Sequence, residues 1–293
     1  MKIIEKKKIW FSLSIAIMII GLVLSFTRGL NYGIDFTGGT QIEINVHKEF
    51  SVEEVREITD KYDKDMSINK IGDKKDIVQL KTREDLDSKK REELFNSFKE
   101  KYDLKEENPE KVDQFGPSVG DEIKNKALIS VIIATIGILI YLSFRFELSY
   151  GLAAVIALVH DVFIVLAVYA IFNIPVNAPF VAAMLTVVGY SINDTIVVFD
   201  RIRENLKYNK KKNPYMEVAN ESIGQTVSRS INTSLTTLVA IGSLYFLASE
   251  SIKDFLLPLI GGVLTGTYSS IFIASPIWVL IKNRKKNKNA KIA

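Results

Sequence analysis

The stretch Val188-Gly-Tyr-Ser-Ile-Asn-Asp-Thr-Ile-Val-Val-Phe-Asp-Arg-Ile-Arg203 decides the class of fold. It closes an apolar run that begins near Pro179 and is long enough to cross a bilayer. Asp194 sits inside that run, with Ser191, Asn193 and Thr195 beside it. A carboxylate at membrane depth is costly and persists mostly where it pairs or moves protons. The spans on either side are therefore read as a bundle that encloses Asp194.

Working outward, the 293 residues divide sharply by polarity. Apolar residues concentrate in six blocks, and charges concentrate in one long segment and a few short ones. The net charge is only +4 and no basic-aromatic pattern is present, which speaks against nucleic acid as a partner. There is no cysteine, so disulfides, thiolate metal sites and cysteine nucleophiles are excluded. His47 and His160 are the two histidines and lie far apart in sequence, so no metal and no cofactor is expected.

The N-terminus is basic through Lys8, and residues 10–26 are apolar. No small-residue cleavage site follows, only Thr27-Arg28-Gly29, so this is an uncleaved first span. Residues 29–126 form a polar, lysine-rich insertion of domain size. Ile42, Ile44 and Val46 alternate with polar residues, which predicts a half-buried strand. Ser51-Val-Glu-Glu54 is a capping box, and Val55, Ile58 and Tyr62 follow at helical spacing. Residues 66–71 and 76–81 read as two strands, 85–102 as an amphipathic helix and 112–115 as a last strand. The order β-α-β-β-α-β predicts a ferredoxin-like α+β domain.

Residues 127–144, 152–172 and a stretch from near 179 supply three more spans, with a polar loop expected over 200–228. Asn213-Pro214 marks a helix start in that loop. A fifth span ends near Ala248, a sixth runs over 255–281, and a basic tail closes the chain. The domains are thus 1–28 (N-terminus and first span), 29–126 (α+β domain), 127–281 (five-span bundle) and 282–293 (tail). Lys and Arg set orientation. They gather in the N-terminus, at Arg145, in the 200–228 loop with Arg229, and in the tail, whereas the short turns opposite carry only Lys253. Both termini are expected in the cytoplasm, in a multi-pass protein of the cytoplasmic membrane, with the α+β domain outside.

Depth singles out the candidate residues. Asp161 lies eleven residues after Tyr150 and Asp194 nine before Arg203. At ~1.5 Å per residue these are roughly 16 and 14 Å from the same side, so the two carboxylates share a layer. The apolar part of the fifth span, 235–248, is too short to cross alone and must borrow Arg229-Ser-Ile-Asn-Thr-Ser234. Arg229 is then either a boundary residue that snorkels or a partner to Asp194. Asp161 is either functional or a helix-packing residue. Ser191, Asn193 and Asn232 are the polar side chains placed to support the site. On the sixth span Gly262, Gly266, Ser270 and Ala274 recur every four residues, the pattern of close helix packing.

The residues also carry a resemblance. Asn31-Tyr-Gly-Ile-Asp-Phe-Thr-Gly-Gly-Thr40 resembles a signature of the SecD/SecF protein-export family. So do Ala157-Leu-Val-His-Asp161, Val188-Gly-Tyr-Ser-Ile-Asn-Asp194 with Phe199-Asp-Arg-Ile-Arg-Glu-Asn205, and Ser228-Arg-Ser-Ile-Asn-Thr-Ser234. One small external domain and six spans are similar to the SecF branch. The resemblance implies a subunit of the resistance-nodulation-division type that pairs with a SecD-like subunit and associates with the SecYEG channel. It implies use of the proton motive force to help unfolded exported chains leave across a lipid membrane, with no enzymatic role. It also matches Asp194 to the family's fourth-span aspartate, Arg229 to its fifth-span arginine and Asp161 to a motif aspartate. Two other classes compete. A proton-coupled small-solute exporter subunit fits the charges, though larger external domains would be expected. An intramembrane aspartyl protease would use two carboxylates, but Asp194 follows Ser-Ile-Asn and Asp161 follows His.

Overall fold

In a computed structural model, the structure describes residues 2–72, 74–209, 215–248 and 250–290. Six of its helices are long and apolar enough to cross a membrane. They are α1 (Lys7–Thr27), α5 (Pro117–Arg145), α6 (Leu148–Phe172), α7 (Ala178–Tyr208), α8 (Tyr215–Leu247) and a sixth span built from α9 (Glu250–Ser269) and α10 (Ser275–Ala290). The last two join through a π-helical turn, Ser270–Ala274.

Between α1 and α5 lies the α+β unit. It contains α2 (Ile34–Thr37), β1 (Gly39–Asn45), α3 (Val52–Thr59), β2 (Ser67–Ile71), β3 (Ile77–Thr82), α4 (Ser88–Tyr102) and β4 (Lys111–Phe115). The strands form one antiparallel sheet in the order β2-β3-β1-β4. From β1 onward the chain order is the expected β-α-β-β-α-β, and the sheet order is that of a ferredoxin-like sandwich. Alternation explains the sheet's inner face: Ile42 pairs with Leu80 and Ile44 with Val78, and all four are buried. The helices cover that face with Val55, Ile58, Leu94, Phe95 and Phe98. Both bonds of the capping box form, Glu54 N–H to Ser51 Oγ at 3.1 Å and Ser51 N–H to Glu54 Oε2 at 3.4 Å. Asp87 caps α4 by accepting from Lys90 N–H at 2.8 Å.

Three expectations shift. The helix that carries the second span opens at Pro117, before the apolar stretch, because Pro at the first helical position starts a helix that the polar residues 118–126 continue. The first part of the expected 200–228 loop is helix, since α7 runs on to Tyr208, and α8 opens at Tyr215, next to the expected helix start. Asn213 and Pro214 lie outside the described residues. The short helix α2 was not expected, its four residues being too few for a periodic signal.

Burial separates inner from outer spans. α6, α7 and the sixth span are about half buried, whereas α1, α5 and α8 expose Ile19, Ile133 and Val239 among others. Apolar surface of this kind on a span faces lipid or a partner helix. Small residues set the closest approaches. A Cβ on Gly262 would lie 2.1 Å from Val187 Cγ2, and one on Gly266 would lie 2.8 Å from Ser191 Cβ. Gly21 of α1 meets Ala167 of α6 in the same way, at 2.3 Å.

The segment 31–40 fastens the α+β unit to the bundle. Gly33 N–H donates to Val176 O and Val176 N–H to Asn31 O, both at 2.7 Å. Asp35 Oδ2 accepts from Ala178 N–H at 2.9 Å, and Asn177 Oδ1 accepts from Phe180 N–H at 3.0 Å, so two side chains cap α7. The Gly-Gly pair is required by conformation and space. Gly38 has φ +79°, Gly39 has φ +142°, and a Cβ on Gly39 would lie 2.2 Å from Thr82 O.

We expect Gly262→Ala to lower stability by about 1–3 kcal/mol through overpacking against Val187. Adding Val187→Ala should recover much of that loss, read as thermal unfolding midpoints of the detergent-solubilised single and double variants.

Candidate functional site

The polar core of the bundle lies where α6, α7 and the sixth span meet. Asp161 and His160 are adjacent on α6, with side chains 1% and 7% exposed. Asp161 Oδ2 accepts from Ser191 Oγ of α7 at 2.6 Å and from Ser269 Oγ of α9 at 2.8 Å. Its Oδ1 lies 3.1 Å from His160 Nδ1. One carboxylate thus ties three elements together, and the apolar surroundings strengthen each bond.

Two serines where α9 meets the π-helical turn face two different helices. Ser269 and Ser270 are consecutive, and in a regular helix they would point about 100° apart. Here Ser269 reaches Asp161, while Ser270 Oγ lies 2.8 Å from Thr195 Oγ1. Ser275 Oγ donates to Ser270 O at 3.2 Å, filling in where the widened turn loosens the ladder.

Asp194 lies one turn beyond Ser191 on α7 and is 4% exposed. It looks toward Ser230, Ser234 and the Arg229 guanidinium on α8. Yet Asp194 Oδ2 and Ser230 Oγ have no hydrogen-bond partner among the described residues. Arg229 is exposed at the protein surface and forms no ion pair with Asp194 among those residues. The two carboxylates therefore differ in kind: Asp161 is saturated with donors, and Asp194 is buried with an acceptor atom to spare.

The sequence-predicted residues divide accordingly. Asp161, Ser191 and Ser270 come together in one network, and Gly262 and Gly266 let α9 reach it. Asn193 and Asn232 do not join: both point outward, on α7 and α8. Sequence reasoning missed Ser269, and also Ser14 and Tyr268, which meet His160 from α1 and α9. Ser14 is one of only two buried residues that α1 contributes, a signal that no periodicity in an all-apolar helix reveals. Among the described residues no cluster of three or more metal-type ligands occurs.

Fold and site together define a multi-pass helical membrane protein with an α+β insertion and intramembrane carboxylates. Comparison with known proteins places it further. Residues 94–284 match the family described as protein export membrane protein SecD/SecF, C-terminal, and residues 23–49 match the SecD/SecF GG motif. The chain belongs to the SecD/SecF protein-export family. It is 41% identical over 291 residues to the protein translocase subunit SecF of Calditerrivibrio nitroreducens, covering 96% of this chain and 94% of that one. It is 36% identical to the SecF subunit of Petrotoga mobilis, covering 98% of each. Among solved structures, the crystal structure of SecDF, a translocon-associated membrane protein from Thermus thermophilus, superposes with a TM-score of 0.80 at 35% identity. That match covers 97% of this chain and 39% of the longer one.

Removing Asp161 strands Ser191 and His160, whereas Asp194→Asn breaks no hydrogen bond at Oδ2. Asp161→Ala should therefore cost about 1–3 kcal/mol for each stranded buried group. Asp194→Asn should leave the unfolding midpoint of the same protein near that of the parent.

Proposed function

We propose that this chain is a SecF-type accessory subunit of the Sec translocase. It assembles with a SecD-like subunit, associates with the SecYEG channel, and couples the proton motive force to late steps in the export of unfolded chains. Asp194 is the coupling carboxylate. The single observation that carries this is its state: buried on a span, facing α8, with Oδ2 unpartnered among the described residues. Such a group has much to gain from a proton or from a cation that moves into contact.

The SecD-like partner is supported from two directions. SecDF of Thermus thermophilus contains a stretch 38% identical to this chain within a protein of which the match covers 38%. On the chain itself, Asn193, Asn232 and Arg229 are exposed on spans, where lipid would be a costly neighbour. A second set of helices against α7 and α8 would cover them. The distribution of lysine and arginine supports the cytoplasmic membrane as the location, with both termini inside and the α+β domain on the outer face.

In the cycle we propose, Asp194 takes a proton from the outer side while Arg229 stays apart. Loss of the proton to the inner side leaves a carboxylate that draws in the guanidinium, and α7 and α8 shift against each other. Asn31–Asp35 links this motion outward, because Asp35 caps α7 while its own segment leads into β1. One charge crossing ~100 mV is worth ~2.3 kcal/mol. That biases a conformational equilibrium by well over tenfold, since each 1.4 kcal/mol is about a factor of ten. It suffices to favour one orientation of a domain and not to unfold a cargo.

The chain carries out no covalent chemistry in this reading. An aspartyl pair that activates water shares a proton between two carboxylates. Here Asp161 accepts its bonds from serines and faces histidine.

The test is secretion of a pulse-labelled precursor in cells whose only copy carries Asp194→Asn, with membrane level and partner assembly measured in parallel. The expected result is normal assembly with late translocation slowed to the level of a deletion. Normal secretion with normal assembly would remove Asp194 from the coupling role.

A further inference from the structure

Two stretches of chain cross between the bundle and the α+β unit, and they run side by side. At the base of the unit, Gly39 of β1 pairs with Phe115 of β4. Beyond it, α2 lies against the first turns of α5, because Gly120 has no side chain: a Cβ there would lie 2.4 Å from Phe36 O. One residue, Gly116, separates β4 from α5, so the outgoing chain has no slack. The same face of α5 adds Lys124 and Ile123. Lys124 Nζ lies 5.7 Å from the centre of the Tyr32 ring, and Ile123 packs on the apolar cluster at the end of the bundle nearest the unit. Phe36 is 4% exposed and belongs to that cluster, with Tyr169 of α6, Phe180 and Met184 of α7 and Leu256 of α9.

The incoming chain differs on its other side. Gly29, where it leaves α1, has φ +77°, and a Cβ there would meet nothing within 4 Å. The unit therefore does not hang from α1. It is held by the neck that α2 and α5 form, and α2 is itself fixed to α7 through the Asp35 cap. A body attached at one point can pivot about it, and a second attachment removes the pivot. At its far end α5 meets α7 again. Arg203 of α7 donates to Arg145 O at 3.2 Å, and Asp200 Oδ1 lies 3.7 Å from the Arg145 guanidinium. Between those ends α5 exposes Ile129, Ile133, Ile136 and Ile140. The helix is thus tied at both ends and uncovered along its middle.

We infer that Phe36 and Gly120 are positioning residues that key the α+β unit to α5, so that the unit and α5 move as one body when α7 shifts. Phe36 anchors α2 in the apolar cluster, and Gly120 admits the α2 backbone beside α5. Close-packed contacts of this kind transmit displacement, because neither side can yield without opening a void or a clash. A shift at the far end of α7, where Asp200 and Arg203 lie, reaches the unit by two routes: along α7 to Asp35, and along α5 to Gly120. Two routes fix the tilt of the unit, where one would leave it free to swing. Its use in an export cycle rests on the function proposed above, but the rigid neck is a property of the folded chain.

The chain has no cysteine, so pairs of spin labels can be placed without background. Lys89 on α4 and Leu128 on α5 are exposed, and Lys89→Cys with Leu128→Cys reports the unit against α5. Glu53→Cys with Lys89→Cys reports the unit alone, and Leu128→Cys with Phe172→Cys the bundle alone. The full chain in lipid vesicles, read by pulsed electron paramagnetic resonance, should give one narrow distance distribution for the first pair. Phe36→Ala should broaden that distribution and shift its mean, while both internal pairs keep theirs. Gly120→Leu should do the same with Phe36 still in place. Phe36→Leu, which keeps a large apolar side chain in the cluster, should retain the narrow distribution. Two glycines inserted after Gly29 should leave it unchanged. A first-pair distribution that is broad in the parent protein, or that stays narrow in both Phe36→Ala and Gly120→Leu, would overturn the inference. So would broadening by the insertion at Gly29. The readout needs no translocation, so a normal secretion phenotype for Asp194→Asn would sink the export role and leave this result standing.

Discussion

The close approach of α7 and α9 is the constraint on which the polar core depends. Gly262 and Gly266 remove two side chains where Val187 and Ser191 would otherwise collide with them. In a membrane no hydrophobic force drives helices together, so close packing and buried hydrogen bonds must do it. Here they coincide: the gap that Gly266 leaves at Ser191 is one residue turn from the point where Ser269 and Ser191 both reach Asp161. A larger residue at either glycine would separate the donors from their acceptor as well as clash.

Around that contact the bundle holds two carboxylates of opposite character. Asp161 is a fixed point, with serines on two neighbouring helices and a histidine turned toward it. Asp194, on α7 one turn beyond Ser191, has an oxygen with no partner among the described residues. A saturated carboxylate resists change, because every movement of a neighbouring helix strands a buried donor. An unsaturated one rewards movement. Placing one on α6 and the other on α7 gives the bundle one joint that stays and one that can shift.

The outer connection follows the same economy of contacts. The segment that leaves α1 runs along the 173–177 turn, caps α7 through Asp35 and enters the sheet through Gly38 and Gly39. Lys81 of β3 lies 3.5 Å from Asp254 at the start of the sixth span, which also accepts from Asn177. The α+β unit is thus joined to the N-terminal ends of both α7 and α9, the two helices that carry the polar core.

Much of this was legible in the residues. Six apolar blocks fix six spans because a bilayer demands about 20 apolar residues per crossing. The alternation through Ile42, Ile44 and Val46 and the capping box at Ser51 and Glu54 fix strand and helix locally, and both form as read. Asp161 and Asp194 stand out because charge inside a span has no local explanation. Partnership was not legible. Ser14 and His160 are 146 positions apart, and nothing in an apolar helix marks which serine turns inward. Arg229 stands away from Asp194 because helix rotation, a tertiary quantity, decides which way a side chain points. The pairing of Ser269 with one helix and Ser270 with another depends on how the sixth span is turned between α6 and α7, which no local spacing encodes. The sequence by itself thus determined the spans, the α+β unit and the presence of titratable groups at depth, since each follows from local polarity and spacing. Only the tertiary structure decided which of those groups is held and which is left free, because that depends on donors brought in from other helices.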